Sequence, residues 1–416
     1  MKTKQILCIM MLVSAVFMIT VSMVRYNAEN EITATRDTVP VFATVDETSV
    51  ETTAETESPD FSGGLEAPNG DEDDIAASLI SYIKRMNISG SVYIVDNGEA
   101  VIDYAQGDFT GKGSEIKYGV ASVTKQITAT CVMKLYEQNK LDIDDPIGKY
   151  FPEYRFGDHI TIRQLLCQRS GIPDYSVESE DGVVWVYTDN SGYMTMIKAE
   201  SSAEENREII RNMIFDSPLL FEPESEFYYS DSNYALLATI VKDVSGMDFH
   251  EYARQNIFEP LGMTASFIDD YSYGDDVVIA GSDREEFDDY YFLYKGAEYG
   301  CGDMLASPED LYKWYKGFTG GKIVSKSAYN LMTKNYSDEG ELGYGFGLMI
   351  SETEDTKTLY HYGFIPSYYS AMFMIPEHDL FITVLANHAQ GYPHTVAANI
   401  VTSYTRHAGY IVEDVE

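Results

Sequence analysis

The sequence predicts an α+β fold in which one antiparallel sheet is built from both ends of the folded chain. Near the start of that chain, "GSVYIVDNGEAVIDYAQGD" alternates apolar and polar residues around Asp96-Asn-Gly98, which is typical of a β-hairpin. Near its end, strand-like runs follow one another at short spacing: "YGFGLMI", "TLYHYGFIP", "SYYSAMFMIP" and "LFITVLANH". Helical periodicity fills the middle and the last segment, "TVAANIVTSYTRHA". Strands segregated from helices in this way favour an α+β plan.

The elements can be justified in chain order. "IAASLISYIKRM" repeats apolar residues at helical spacing and follows acids that suit a helix N-terminus. After the hairpin, a helix is expected to open at Ser122 and to reach about Asn139, and "ITIRQLLCQRSG" is a further helix stopped by Gly171. Residues 176–212 indicate an irregular acidic insertion followed by a helix, and "YYSDSNYALLATIVKDVSG" predicts a loop leading into a helix.

The composition fits a globular protein and excludes a nucleic-acid partner. The chain has 416 residues, 44% of them hydrophobic, and contains 33 Tyr. Its formal net charge is −38, whereas binding to a phosphate backbone needs a basic face. A folded region of this size can bury enough surface to be stable without disulfides or metals. We therefore expect a monomer that acts on a small-molecule or peptide substrate.

The cysteines and histidines predict neither a disulfide framework nor a metal site. Cys8 lies in the apolar N-terminal segment, and the three remaining cysteines are widely separated. A bridge between Cys131 and Cys167 stays open at this stage. The seven histidines show no spacing typical of metal ligands, so we expect no metal and no other cofactor.

The N-terminus predicts export. Residues 1–25 form a membrane segment: Lys2 and Lys4 precede nineteen uncharged residues, Ile6–Val24, which are nearly long enough to span a bilayer. The lysines place the N-terminus in the cytoplasm and all that follows outside. The segment is either a retained signal-anchor, which we favour, or a cleaved signal peptide. In the first case the protein is anchored to the membrane, and in the second it is secreted.

A disordered stalk and one folded domain are expected to follow. Residues 26–75 are rich in Ser, Thr and acidic residues, with fourteen acids and one Arg from Tyr26 to Asp74. Such a segment cannot bury enough apolar surface to offset the entropy of ordering it. Residues 76–416 then form the folded domain.

A serine three residues before a lysine is a candidate nucleophile with its activating amine, and the chain contains three such pairs. Ser81 and Lys84 lie within the first predicted helix, where they are expected to face solvent, and Ser114 and Lys117 lie in a loop. Ser122 and Lys125 begin the long helix. Residues i and i+3 share one face of a helix, so the Lys125 amine returns beside the Ser122 oxygen, near peptide N–H groups that favour an oxyanion.

Three segments in order resemble the serine β-lactamase and D,D-peptidase family, in its class C-like branch. They are Ser122-Val-Thr-Lys125, Tyr229-Ser-Asp231 and His361-Tyr-Gly363, framed by similar text such as "ITIRQLLCQRSGIPDY" and "GCGDMLASPEDL". The resemblance runs from about residue 90 to 405. It implies a β-lactamase/D,D-peptidase-like fold, with an antiparallel sheet flanked by helices and an inserted, mainly helical subdomain.

The resemblance also implies roles for the matching residues. Ser122 is the nucleophile, and Tyr229 is the proton carrier toward it, with a pKa that a neighbouring ammonium would lower. Lys125 holds the proton network. Asp231 replaces the commoner Asn and is expected to pair with Lys125 and keep it charged.

The third motif is expected on a strand that edges the cleft. His361 replaces the lysine of true β-lactamases and should face the Tyr229 hydroxyl. Gly363 should let a substrate backbone lie close, while Tyr362 stands where a Thr or Ser usually helps to hold a substrate carboxylate. The N–H groups of Ser122 and Phe364 form the expected oxyanion hole.

The hypothesis that follows is an exported serine hydrolase that forms an acyl-enzyme at Ser122 and acts on an amide or ester. A D,D-peptidase or carboxypeptidase acting on cell-wall or D-amino-acid peptides is the first choice. A carboxylesterase and a β-lactamase of the same fold are the alternatives within the class. A non-catalytic surface binding protein that keeps the fold is the alternative from another class.

Overall fold

A computed structural model of the protein describes residues 68, 70, 73–107, 113–178, 184–186, 201–268, 295–338, 343–353, 356–365, 368–387 and 393–410. They belong to one compact unit, Glu66–Glu413. The predicted membrane segment, nearly all of the predicted stalk and most of residues 179–200 lie outside the described residues. Within the described ranges, no helix combines the length and apolar character that a membrane crossing requires.

The architecture is α+β, as predicted, and its main sheet joins both ends of the folded chain. Six antiparallel strands lie in the order β2-β1-β11-β10-β9-β8. Their bounds are β1 Gly90–Asp96, β2 Glu99–Gln106, β8 Met349–Glu352, β9 Lys357–Ile365, β10 Tyr368–Ile375 and β11 Leu380–Ala386. A smaller sheet pairs β3 Tyr118–Gly119, β7 Met304–Ala306 and β6 Ser266–Phe267, and β4 Ser176–Glu178 pairs with β5 Val184–Val186.

Helices flank the main sheet and fill the segment inserted between its two halves. Those before the insertion and in its first part are α1 Ile75–Met86, α2 Thr124–Glu137, α3 Ile162–Leu166, α4 Ala203–Asp216 and α5 Asp231–Ser245. Those that follow are α6 Phe249–Ala253, α7 Glu259–Leu261, α8 Pro308–Thr319, α9 Lys326–Met332 and α10 Pro393–His407. The expected mainly helical insertion is therefore confirmed.

Local signals explain the first elements. The Asp74 side chain accepts a hydrogen bond from the Ala77 N–H and caps α1, which has the predicted bounds. Asn97 and Gly98 both have positive φ, at 50° and 84°. Two such residues give the hairpin turn whose twist matches the flanking strands, so the predicted β1–β2 hairpin is confirmed.

Opposite faces of the sheet carry different layers. The Phe381 ring of β11 lies 5.6 Å from the rings of Tyr312 and Tyr315 in α8. On the other face, Tyr362 of β9 and Tyr369 of β10 lie 5.1 and 4.8 Å from the ring of His394 in α10. Lys125 of α2 and Asp231 of α5 lie on the same side of the sheet as α8.

Two helices differ from the prediction. The helix at "ITIRQLLCQRSG" stops at Leu166, before Gly171, although Thr161 and Gln164 form a capping box at its start. Helix α2 was expected to open at Ser122, but it begins at Thr124, after a 3₁₀ turn, and it is buried on nearly all sides along Thr124–Met133. Neighbours from α5, the 300–304 region and α9 surround α2, and periodicity within one helix does not report them.

The cysteine question is settled for three residues. Cys131, Cys167 and Cys301 are buried free thiols, so the Cys131–Cys167 bridge is not formed. Cys8 lies outside the described residues. Each of the three thiols serves as a small buried side chain.

Candidate active site

The turn that presents Ser122 is anchored on both sides. Ala121, directly before the serine, has a φ of +47°, a left-handed conformation that few residues other than glycine adopt. The Ser370 hydroxyl of β10 donates to the Val120 carbonyl at 2.6 Å. The Val120 N–H donates to the carbonyl of Met304 in β7 at 3.0 Å. Ser122 lies in a 3₁₀ turn, Ala121–Val123, that leads into α2.

Gly363 is required by this turn. A Cβ at Gly363 would lie 2.3 Å from the Ser370 hydroxyl and 2.4 Å from the Val120 carbonyl oxygen. The space that a side chain at residue 363 would need is thus filled by the turn that presents Ser122. The sequence-based reason, that the glycine lets a substrate backbone lie close, stays a prediction.

Ser122 and Lys125 meet as the spacing predicts. The Lys125 ammonium donates to the Ser122 hydroxyl at 2.9 Å. Lys125 is fully buried, whereas Ser122 is partly exposed. The other two pairs of the same spacing are structural: the Ser81 hydroxyl donates to the Ala77 carbonyl on the surface of α1, and Ser114 binds Asp103. Ser114 lies in a short 3₁₀ turn where a loop was expected.

Two further acceptors hold the Lys125 ammonium. The nearest oxygen of Asp231, the first residue of α5, lies 2.5 Å away, and the Cys301 carbonyl accepts at 2.9 Å. Burial lowers the pKa of Lys125, but the Asp231 carboxylate, together with Tyr229, Cys301 and Tyr344, more than offsets burial and raises that pKa well above its ordinary value. The expected pairing of Asp231 with Lys125 is present, and it keeps the lysine charged.

Tyr229 lies against this charge pair. The Lys125 nitrogen is 4.9 Å from the centroid of the Tyr229 ring. The Tyr229 hydroxyl oxygen is shielded from solvent and has no hydrogen-bond partner in the described part of the chain. That hydroxyl is therefore available to a group that enters the site.

The pKa of Tyr229 moves opposite to the expectation. Burial raises it well above 10, and the Lys125 charge, which lowers it, is opposed by the Asp231 charge. The prediction of a lowered pKa was wrong because burial of the phenol outweighs the Lys125 charge, which the Asp231 counter-ion also opposes. Tyr229 therefore carries its proton at neutral pH.

The loop before α5 is fastened by Gln168. The Gln168 side-chain oxygen accepts from the Ser230 N–H at 3.1 Å and from the Asn233 side chain at 2.6 Å. The Asp231 N–H donates to the Asp174 carboxylate at 3.2 Å. These bonds hold Tyr229 and Asp231 at the N-terminus of α5, opposite Lys125 of α2.

His361 faces the site from β9. Its Nδ1 donates to the Tyr362 carbonyl, so its Nε2 is left as an acceptor, and the Tyr344 hydroxyl lies 3.5 Å from Nε2. Burial and the Lys125 charge lower the pKa of His361 to about 3. The expected partner was the Tyr229 hydroxyl, but that hydroxyl makes no hydrogen bond in the described part of the chain, and Tyr344 takes the Nε2 contact.

Tyr362 and Phe364 do not join this group of side chains. Successive residues of a strand point to opposite faces, so Tyr362 turns away from His361. Its ring packs 5.6 Å from Phe373 and 5.1 Å from His394. This placement disagrees with the predicted contact to a substrate carboxylate. Phe364 is 38% exposed and packs beside Tyr369, and its N–H as an oxyanion donor stays a prediction.

Sequence reasoning missed Tyr344, Glu298 and the Cys301 carbonyl. Tyr344 is buried, and burial raises its pKa to about 12. Tyr344 and Glu298 are far in sequence from the three motifs, and a backbone carbonyl leaves no sequence signal. The Cys301 carbonyl lies against Lys125 in a segment that none of the three motifs includes.

One side-chain cluster has the composition of a metal site. Ligand atoms of Asp231, Glu298 and Cys301 lie within 4.8 Å of one another. The Lys125 ammonium, 2.5 Å from Asp231, already supplies positive charge there. The expectation that the protein needs no metal stays a prediction.

Comparison with known proteins agrees with this geometry. The chain is 26% identical over 291 residues to PbpX of Bacillus subtilis, a protein named after the penicillin-binding proteins, and the match covers 66% of this chain and 65% of PbpX. The chain thus spans just under two thirds of that relative. A penicillin-binding protein homologue from Pyrococcus abyssi, described as octameric, superposes with a TM-score of 0.63 at 28% identity, covering 80% of this chain and 77% of its own.

A second solved structure shows the same fold at lower identity. The D-amino acid amidase from Ochrobactrum anthropi SV3 superposes with a TM-score of 0.62 at 21% identity, covering 80% of this chain and 98% of its own. A family model described as Beta-lactamase matches residues 81–403, well over half of the chain. The protein therefore belongs to the beta-lactamase family, whose fold is that of serine hydrolases related to the penicillin-binding proteins.

Proposed function

We propose that the protein is a serine hydrolase that forms an acyl-enzyme at Ser122 and cleaves amides of D-amino acids or of cell-wall peptides. The 2.9 Å hydrogen bond from the buried Lys125 ammonium to the Ser122 hydroxyl carries this proposal. A protein that had kept the fold only for binding would have no need of this contact. The contact therefore favours catalysis over the binding-protein alternative.

In the proposed mechanism, the Ser122 proton passes to the Tyr229–Lys125 pair as the oxygen attacks the carbonyl carbon. Both members hold protons in the free protein, so Tyr229 gives its own proton toward the leaving group as it receives that of Ser122. Lys125 stays charged and stabilises the phenol oxygen during the exchange. The pair titrates as one unit, and neither residue alone is the base. Water then attacks the acyl-enzyme through the same proton transfers, and the carboxylic acid product leaves Ser122.

The charges around Ser122 favour one substrate type. The Lys125 ammonium is already paired with the Asp231 carboxylate at 2.5 Å, and on the β9 side His361 is neutral at physiological pH. Of these three groups, none offers an unpaired positive charge to a substrate carboxylate beside the scissile bond. An amide without that carboxylate fits better than a carboxypeptidase substrate, and the fold shared with a D-amino acid amidase supports this choice.

The place of action rests on the sequence alone. The apolar stretch Ile6–Val24 with Lys2 and Lys4 supports export, with the catalytic domain outside the membrane and residues 26–75 as its tether. Cell-wall peptides would then lie within reach of the enzyme.

A hydrolysis screen with the purified full-length protein tests the proposal. D-Alaninamide, L-alaninamide, a peptide ending in D-Ala-D-Ala, a p-nitrophenyl ester and a chromogenic β-lactam are compared with wild type and with Ser122→Ala. We expect turnover of the D-amide that exceeds that of the L-amide and of the D-Ala-D-Ala peptide, and that disappears in Ser122→Ala. Equal rates for wild type and Ser122→Ala on every compound would refute the proposal.

A further inference from the structure

The turn whose Cys301 carbonyl accepts a hydrogen bond from Lys125 also carries an acidic residue, Glu298. Glu298 lies outside the three motifs. The N–H groups of Cys301 and Gly302 donate to the Glu298 carbonyl at 3.0 and 2.9 Å. The Cys301 carbonyl of this turn accepts from Lys125 at 2.9 Å. A Cβ at Gly302 would lie 2.5 Å from a Glu298 carboxyl oxygen, so the side chain folds back over its own turn.

The Glu298 carboxyl faces several titratable groups. The Cys301 thiol donates to Glu298 Oε2 at 3.5 Å, and Asp231 belongs to the same 4.8 Å cluster. Among the described residues, Lys125 of α2 and, in the loop after α3, Asp174 and Tyr175 also act on it electrostatically. The Lys125 ammonium thus acts on two neighbouring carboxyl groups, and it lies 2.5 Å from Asp231.

Carboxyl groups within 4.8 Å of each other, as in Asp231 and Glu298, do not both ionise easily. Burial raises the pKa of Glu298 to about 8, and the negative charge of Asp231 adds to that rise. The Lys125 ammonium is in direct contact with the Asp231 carboxyl group. At neutral pH the proton of the cluster therefore resides on Glu298.

We propose that Glu298 is a positioning residue that acts on Lys125 as a neutral carboxylic acid, and that loss of its proton to solvent makes the site less reactive. This inference rests on the proposed function of Ser122. An ionised Glu298 would add a negative charge near the oxyanion that forms during acylation, where electrostatic stabilisation matters most.

The distances bound the size of the effect. The contacts from Ser122 through Lys125 and Asp231 place a Glu298 oxygen within about 10 Å of the Ser122 hydroxyl. A unit charge at about 10 Å in a medium of effective dielectric near 20 changes the energy of another unit charge enough for about a tenfold change in rate.

The test is the rate of Ser122 labelling by a fluorophosphonate between about pH 6 and pH 10, for wild type and Glu298→Gln. The glutamine mimics the protonated acid at every pH. We expect the ratio of the variant's rate to that of wild type to rise about tenfold from pH 7 to pH 9. Glu99→Gln, at an exposed position of the β1–β2 hairpin, is the control and should keep a constant ratio. A constant ratio for Glu298→Gln overturns the inference.

A second measurement keeps the inference testable if Glu298→Gln fails to fold. Infrared difference spectra of the wild-type protein between pH 7 and pH 9 should show the loss of one carboxylic-acid band, because ordinary exposed carboxyl groups titrate well below pH 7. Absence of such a band overturns the inference. If wild type is not labelled at Ser122, the proposed function fails, and the infrared result still decides the state of Glu298.

Discussion

Lys125 and His361 are both buried and both face the same site, yet they carry different charges. Burial disfavours the cation of each residue. Lys125 has the Asp231 carboxylate 2.5 Å away, and its pKa rises. His361 contacts a tyrosine hydroxyl and a backbone carbonyl, and its pKa falls to about 3. The comparison teaches that a counter-ion, and not the depth of burial, decides which group is charged.

The consequence is a site with two unlike walls. The helical wall, from α2 and α5, holds the charge pair of Lys125 and Asp231. The strand wall, from β9, holds a neutral imidazole whose Nε2 can only accept a hydrogen bond. The positive charge of Lys125 itself helps to keep His361 neutral. His361 stands where the family resemblance places a lysine, but it does not supply the positive charge of that lysine.

The largest expected effect comes from removing the proton carrier of the helical wall. Tyr229→Phe should lower the rate of acylation by about 10²–10⁴-fold, the usual contribution of a positioned acid–base group. Because the Tyr229 hydroxyl has no hydrogen-bond partner among the described residues, the variant should unfold at the same urea concentration as wild type. Stopped-flow labelling and urea titration measure the two quantities.

Tyr150→Phe is the matched control for that variant. The Tyr150 hydroxyl donates to Asp145, in the loop between α2 and α3, and its loss should leave the acylation rate unchanged. Near-normal acylation in Tyr229→Phe would show that Lys125 alone accepts the Ser122 proton.

The second expected effect concerns the counter-ion. Asp231→Asn leaves a buried ammonium without its carboxylate and should cost about 3 kcal/mol of unfolding free energy at pH 7. The exposed pair of Arg163 and Asp144, at 2.7 Å, offers a matched control, and Asp144→Asn should cost less than about 1 kcal/mol. Urea unfolding at pH 7 compares the variants. Equal losses of unfolding free energy in Asp231→Asn and Asp144→Asn would contradict the claim that burial makes the Lys125–Asp231 pair the more important one.

The smallest effect tests the strand wall. The folded protein keeps His361 neutral down to about pH 3, whereas in the unfolded chain this residue binds a proton below about 6.5. The unfolded state thus binds more protons in this window, so stability is lost as the pH falls through it. His361 should account for about 2 kcal/mol of the loss between pH 6.5 and pH 5.

Urea unfolding as a function of pH measures this loss. His361→Gln should show a shallower loss than wild type, while His159→Gln, at an exposed position, should follow wild type. His394, whose pKa burial lowers to about 4, contributes a similar slope that persists in both variants. An unchanged slope in His361→Gln would mean that the histidine is charged in the folded state.

Features encoded locally could be predicted from the sequence. The bounds of α1 follow from its apolar period and from Asp74, and the β1–β2 hairpin follows from Asn97-Gly98. The contact of Ser122 with Lys125 follows from helix geometry alone. The position of Asp231 beside Lys125 required the family resemblance, because 105 residues separate the two and no local rule links them.

Features that depend on remote neighbours could not be predicted. The direction of Tyr362 depends on the face of β9 that α10 covers, and the partner of His361 comes from Tyr344. The role of Gly363 depends on how closely the Ser122 turn approaches β9. The pKa of Tyr229 depends on a balance between burial and two charges, which only three-dimensional distances resolve.

Mapping of the residue labelled by a fluorophosphonate tests the central claim most directly. Intact mass and peptide mass spectrometry are recorded for wild type and Ser122→Ala after exposure to the probe. The account predicts one adduct per chain in wild type, located on the peptide that contains Ser122, and none in Ser122→Ala. An unlabelled wild type, or an adduct on another residue that persists in Ser122→Ala, would contradict it.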